Sequence, residues 1–270
     1  MKKIGFAMAL LATLAFTAPV YAHFQMIYTP EAAMTKGGKI PLVLLFTHPF
    51  DAGYTMDMGK PEQFFVMRSR GENAPKKVDL LDTLKPIKWE SVTNSGAAWE
   101  TTYSARGGDH IFCLIPEPYL EEKEGVYIKQ NTKVIVNVGG EPGAWMEPVG
   151  LPTEIVPLSK TYDRWTGQVF QGRVLFNGKP VPNAEVEVEY LNHALMLDQK
   201  AFKKEGEVEA PQDAFGLQTI FADDNGIFTF GIPRAGWWGF AALGLDPDYT
   251  YKGKECSRDA VIWIKAVDMK

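Results

Sequence analysis

The chain has only two cysteines, Cys113 and Cys256, among 270 residues. That count excludes a disulfide framework and any cysteine-rich zinc site, and it leaves a single bridge between the two open. Long apolar runs are missing after the first 22 residues. The run inside those 22 is shorter than the roughly 20 residues a spanning helix needs, so no membrane span is expected in the mature protein. Basic charge is not in excess either: 28 Lys and Arg stand against 33 Asp and Glu. Nucleic acid is therefore not an expected partner, whereas attraction of cations is compatible with the balance. Long helical periodicity, internal repeats and low-complexity tracts are absent. So are a G-x-S-x-G elbow, a phosphate-binding glycine loop and a Cys/His nucleophile pair. The expectation is a protein that is not an enzyme.

What the sequence does have begins with a leader. Residues 1–22, MKKIGFAMALLATLAFTAPVYA, carry a basic start at Lys2 and Lys3, an apolar stretch and small residues at Val20 and Ala22. This is the pattern of a secretory signal peptide cleaved after Ala22, which places the product in the periplasm and makes His23 its first residue. Cutting the leader from 270 residues leaves 248, and losing its two lysines takes the formal charge from −5 to −7. That length suits two domains, 23–160 and 161–270.

From Lys39 onward, short β-branched and aromatic runs alternate with Gly, Pro, Asn and Asp, so both domains are expected to be all-β sandwiches. In the first half the predicted strands are Ile40–Thr47, Gln63–Ser69, Trp99–Ser104, His110–Pro116 and Thr132–Val138, with Ala105–Asp109 as a glycine-rich hairpin connection. In the second they are Gln168–Phe176, an edge-like Glu185–Tyr190, and a hairpin of Thr219–Ala222 with Ile227–Ile232 around Asp223–Gly226. The second half has immunoglobulin-like size, and its GxVxxNGKPVPNAEVEVEY stretch resembles a transthyretin-like or carboxypeptidase-regulatory sandwich. Residues 193–216 read as a polar surface insertion, with a short helix over Leu195–Lys204. Trp237 and Trp238 are adjacent, so they point to opposite faces of a strand, and core packing is the better reading for them.

The candidate chemistry lies in the histidines. A histidine at a mature N-terminus offers two nitrogen ligands, the α-amine and imidazole Nδ1, which close a six-membered chelate ring on one ion. Their ordinary pKa values, about 8 and about 6.5, let both lose a proton near neutral pH. His48 and His110 lie at predicted strand ends, where sandwiches build sites. Each could also be a polar strand-end residue satisfied by backbone. His193 reads as a bystander. Met56 and Met58 alternate on one face of an extended segment and could add thioether ligands, or could simply pack under a loop. Asp51, Asp57 and Asp109 are candidates to orient an imidazole. The expected metal set is thus His23, His48 and His110, with Met56 and Met58 as outer possibilities. Nitrogen donors suit nickel, copper, zinc and cobalt.

In order along the chain, Ala22-His23-Phe24-Gln25-Met26, Phe46-Thr47-His48-Pro49, Gly108-Asp109-His110, Glu154-Ile155-Val156-Pro157-Leu158, Trp165-Thr166-Gly167 and Pro233-Arg234-Ala235-Gly236-Trp237-Trp238-Gly239-Phe240 resemble the periplasmic nickel-uptake family. Members of that family accompany energy-coupling-factor type nickel or cobalt transporters. The resemblance implies an extracytoplasmic protein that binds nickel or cobalt and passes it to a membrane permease, without turnover. Two other classes remain open from the residues: a copper monooxygenase with an N-terminal histidine, which needs a flat aromatic surface around the metal, and a structural or adhesion module with no metal.

Overall fold

The computed structural model describes residues 23–269. Among them the chain is nearly all strand, and its only helical pieces are single 3-10 turns at Leu81–Thr83, Leu197–Gln199 and Asp213–Phe215. The leader, residues 1–22, lies outside the described residues.

Three sheets stack. The first runs in the order Phe24–Tyr28, Gly38–Thr47, Ser95–Ala105, Lys85–Glu90, Ala201–Phe202, Leu195–Met196. The central sheet runs Leu217–Phe221, Glu185–Tyr190, Gly236–Ala242, Lys254–Val267, Val126–Val138, Gly108–Ile115, Gln63–Ser69, Lys76–Asp79. The third holds Thr153–Pro157, Val169–Phe176 and Lys179–Pro180, with Ile227–Gly231 paired to Val169–Phe176. The central sheet unites the two halves of the chain, because Val126–Val138 pairs in parallel with Lys254–Val267 from Tyr127↔Cys256 to Val134↔Trp263.

Strand alternation explains why one sheet serves two cores. Successive side chains point to opposite faces. On Lys254–Val267, Val261 and Trp263 enter the core against the first sheet, while Ala260, Ile262, Ile264 and Ala266 enter the core against the third. Trp237 and Trp238 divide in the same way, both buried. The core-packing reading of that pair holds.

The predicted strands recur close to their expected bounds, and the Asn177-Gly178 turn is a hairpin with positive φ at both residues (48° and 76°), as a type I′ turn requires. Several connections differ. Arg106 and Gly107 do not close a hairpin, because Ser95–Ala105 belongs to the first sheet and Gly108–Ile115 to the central one. The chain turns a corner there on Gly108, whose φ is 108° and whose added Cβ would lie 2.1 Å from the Ser69 carbonyl oxygen. The Asp223–Gly226 turn likewise passes from the central to the third sheet instead of joining paired strands. Glu185–Tyr190 is not an edge: it lies between Leu217–Phe221 and Gly236–Ala242, and its Glu187 and Glu189 are buried. The helix expected over Leu195–Lys204 is replaced by two short paired strands, because Phe202 is drawn in to pack its ring against Trp89. Cys113 and Cys256 are both free and buried, so no bridge joins them.

A buried ion pair ties the layers together. Lys133 Nζ lies 2.7 Å from Glu154 Oε1, with the two side chains only 1% and 2% exposed. Glu154 also accepts N–H bonds from Val149, Gly150 and Leu151. Removing the carboxylate strands a buried ammonium, so Glu154→Ala is expected to cost about 3–5 kcal/mol. Lys133→Met is expected to cost less, since the carboxylate keeps three donors. Urea denaturation midpoints of the two variants check that order.

Candidate functional site

The strand Phe24–Tyr28 pairs antiparallel with Gly38–Thr47, from Phe24↔Thr47 to Tyr28↔Val43. Extending that register by one step sets His23 opposite His48. Opposed residues of an antiparallel pair share a face with Cβ atoms about 4.5–5.5 Å apart, and the two imidazole centroids are 4.7 Å apart. Neighbouring aromatic rings flank His23, with Phe46 at 5.6 Å and Tyr119 at 6.3 Å.

The His48 loop is held from several sides. Its carbonyl accepts from Ala52 N–H (2.8 Å), Thr47 Oγ1 donates to the Tyr54 carbonyl (2.9 Å), and Val92 N–H reaches back to the Ala52 carbonyl (2.8 Å). The C-terminal half contributes as well: Phe50 N–H donates to Glu189 Oε1 at 2.7 Å, and Asn192 N–H to the Pro49 carbonyl at 3.2 Å. Burial raises the Glu189 carboxyl well above the carboxylate range and pushes Glu187 up to about 7.

A short strand, Tyr119–Glu121, folds back along the start of Val126–Val138 and brings a carboxylate to the first histidine. Glu121 Oε2 is 3.3 Å from His23 Nε2, with side chains 14% and 18% exposed. Its partners open on a cleft of about 940 Å³ lined by both histidines and by Asp51, Asp57, Glu121, Glu122 and Glu124, against one cation, Lys123. Such a rim draws cations toward the imidazoles.

His110 is not there. It pairs with Val136, whereas Tyr119 beside His23 pairs with Ile128. Eight strand residues at about 3.3 Å each put the two positions roughly 26 Å apart along the central sheet. His110 Nε2 bonds the Arg106 carbonyl at 2.8 Å and its ring packs on Tyr103. Every strand has two ends, and His110 occupies the far one, so the structure brings His23 and His48 together and leaves His110 apart from them. Met56 and Met58 are buried in the core, and Met58 Sδ accepts a bond from Gln25 Nε2 at 3.3 Å. Asp109 is buried and accepts from Asn137 Nδ2, far from the cleft. His193 Nδ1 is engaged with the Lys203 carbonyl at 2.8 Å. The residue missed was Glu121, whose available signal was the acidic turn EEKEG set between Tyr119 and Tyr127. Among the described residues no three His, Cys, Asp or Glu side chains form a ready-made metal cage.

Fold and site together define an all-β sandwich protein with an acid-rimmed cleft and two facing histidines at its N-terminal strand. The model of the family described as domain of unknown function DUF4198 matches residues 20–246, and the chain belongs to that family. No curated protein matches it. Among solved structures it is similar to the D0-D1 domain of intimin, at 12% identity and a TM-score of 0.20, covering 88% of this chain and 96% of that one. It is also similar to a chimeric titin Z1Z2-Z1Z2 tandem, at 11% identity and a TM-score of 0.18, covering 91% and 100%. Scores this low carry nothing about function, and the sandwich architecture rests on the strand pairing itself.

Burial, then the charge of His48, lowers the His23 pKa to about 4, against a smaller opposing pull from Glu121. In the unfolded chain the ring titrates near 6.5. Between those values the unfolded state holds a proton that the native state refuses, so this group's share of stability falls as pH drops from about 6.5 to about 4. Above that window His23 is neutral and its lone pair is available. Removing the neighbouring imidazole in His48→Gln is expected to raise the His23 pKa, and Glu121→Gln to lower it further. Imidazole NMR titration of the metal-free protein reads both, and an unmoved His23 in His48→Gln would contradict the facing pair.

Proposed function

We propose that the protein is an exported, periplasmic carrier of a divalent transition-metal ion, nickel or cobalt, which it binds at His23 and His48 and delivers to a membrane nickel/cobalt permease. One contact carries the reading: the Glu121 carboxylate at His23 Nε2. With Nε2 engaged, Nδ1 is the nitrogen left for an ion, and Nδ1 is the one that closes a six-membered ring with the α-amine of an N-terminal histidine. Glu121 thereby takes the orienting role expected of an aspartate. His48 adds a third nitrogen from the opposite strand.

Cleavage after Ala22 releases the amine, so the donor set needs no third side chain. Three nitrogens leave coordination positions for water or for a group that accepts the ion on handover. Such donors rank copper above nickel in intrinsic affinity, so geometry and supply select the metal. The resemblance to nickel-uptake proteins supports the periplasmic setting and the permease partner. A copper monooxygenase calls for a flat aromatic face around the metal, and a concave cleft rimmed by five carboxylates is a different surface.

Isothermal titration of protein beginning at His23 should show one site for Ni²⁺. An extra N-terminal alanine, or His48→Gln, should weaken it by more than the roughly 10–100-fold expected for Glu121→Gln, which removes an orienting partner. His110→Gln should leave it unchanged. Equal affinity with and without the added alanine rules out the amine chelate, and no binding heat at all favours a structural or adhesion module.

A further inference from the structure

The central sheet ends in two different edges. At one, Lys76–Asp79 carries Lys76, Lys77 and Asp79 and follows Pro75. Charges, lysine above all, and proline are the means by which natural edge strands resist pairing with another chain. At the other edge, Leu217–Phe221 reads LQTIF, with neither charge nor proline. Among the described residues its only strand partner is Glu185–Tyr190. Phe221 is 65% exposed, and Phe215, on the 3-10 turn leading into the strand, is 54% exposed.

The register shows which backbone groups face outward. Phe221 stands opposite Glu185, and the next residue, Ala222, donates its N–H to the Ala184 carbonyl at 2.9 Å. Bonded positions alternate along an antiparallel ladder, so Gln218 and Ile220 also turn inward, and the N–H and C=O of Leu217, Thr219 and Phe221 point away from the sheet. That outward row is symmetric about Thr219. If the same strand of a second copy is laid against it antiparallel, Thr219 meets Thr219 and Leu217 meets Phe221 in both directions. Every outward N–H of each copy then finds a carbonyl.

We propose that Leu217–Phe221 is a dimerisation edge, where a second copy of this chain adds the same strand about a two-fold axis at Thr219 and makes one sheet continuous across two molecules. The occupant follows from the sequence of the strand. Under that axis its cross-strand neighbours are Leu with Phe, Thr with Thr and Gln218 with Ile220, pairs that stabilise a sheet and set no like charges together. One isologous contact also covers both open edges at once. A five-residue ladder flanked by two phenylalanines falls below the roughly 1,200 Å² of a standard interface, so the dimer is weak and reversible. The edge adjoins the loop of His48: a Cβ on Gly216 would lie 3.1 Å from the Phe50 ring, and Leu217 pairs with Glu189, which accepts the Phe50 N–H. Pairing at the edge therefore braces that loop from behind.

Sedimentation velocity of metal-free protein beginning at His23, from micromolar to millimolar concentration, tests this, and the sedimentation coefficient is expected to rise from that of a monomer to that of a dimer. Thr219→Pro removes an outward N–H and no internal ladder bond, the one setting in which a sheet accepts proline. It should weaken association at least tenfold while the melting temperature in dilute solution stays near that of the wild type. Thr219→Cys sets two thiols in a bonded pair with Cα atoms about 5.5 Å apart, within disulfide reach. Oxidised glutathione should therefore link it into a covalent dimer, both native cysteines being buried. Gln218→Cys lies diagonal to its own copy at about 7–8 Å and should stay largely unlinked. A wild type that remains monomeric to millimolar concentration overturns the proposal and leaves the edge to a strand of some other protein. Undiminished association of Thr219→Pro, or equal cross-linking of the two cysteine variants, overturns it as well.

Discussion

The structure depends on one pairing, the parallel ladder between Val126–Val138 and Lys254–Val267. Parallel strands are normally buried on both faces. Here the two faces feed different cores. Val134, Val136, Val261 and Trp263 close against the first sheet, and Ala260, Ile262 and Ile264 against the third. Sequence separation of more than a hundred residues is bridged in that ladder, so neither half can complete its central sheet alone.

The same ladder seats the N-terminal strand. Phe24–Tyr28 is an edge of the first sheet, and an edge leaves a row of backbone groups without strand partners. At Gln25 those groups are taken by side chains of the ladder. Its N–H donates to Gln130 Oε1 at 2.7 Å, and its carbonyl accepts from Trp263 Nε1 at 3.0 Å. Gln130 in turn donates to buried Asp259, which Ser257 and Gly244 N–H also bind. The first strand is thus docked by side chains from both halves, two residues from His23. The His48 loop is held in parallel fashion, through Glu189 and Asn192 of the C-terminal half. Both histidines therefore face each other on elements that the second half of the chain positions, although it lends neither imidazole.

What the sequence made legible was strand identity, because β-branched runs bounded by turn residues depend only on local chemistry. Sheet membership depended on distant partners and was not legible. Ser95–Ala105 and Gly108–Ile115 read as a hairpin, since a short Gly-rich link cannot be told from a corner until Gly108 is seen pressed against the Ser69 carbonyl. Glu185–Tyr190 read as an edge-like strand for the same reason. The pairing of His23 with His48 was proposed from nitrogen chemistry, but their proximity comes from a register set by Phe24–Tyr28, a five-residue segment too short and irregular to declare itself a strand. His110 shows the converse: being at a strand end was a correct local inference, and which end of the sandwich it occupied was a global fact.

On the carrier reading, this geometry makes the processing site part of the binding chemistry. The first paired residue is Phe24, so His23 is the last position whose side chain can still share the face of His48 while its nitrogen lies beyond the ladder. A cut one residue earlier would put Ala22 in place of the free amine and leave His23 Nδ1 beside an amide. A cut one residue later would remove the imidazole that Glu121 holds. Only the cut after Ala22 places amine, imidazole and carboxylate at the mouth of the acidic cleft together. Export and ligand formation then become a single event, and the uncleaved chain, which lacks the free amine, is expected to bind the ion more weakly.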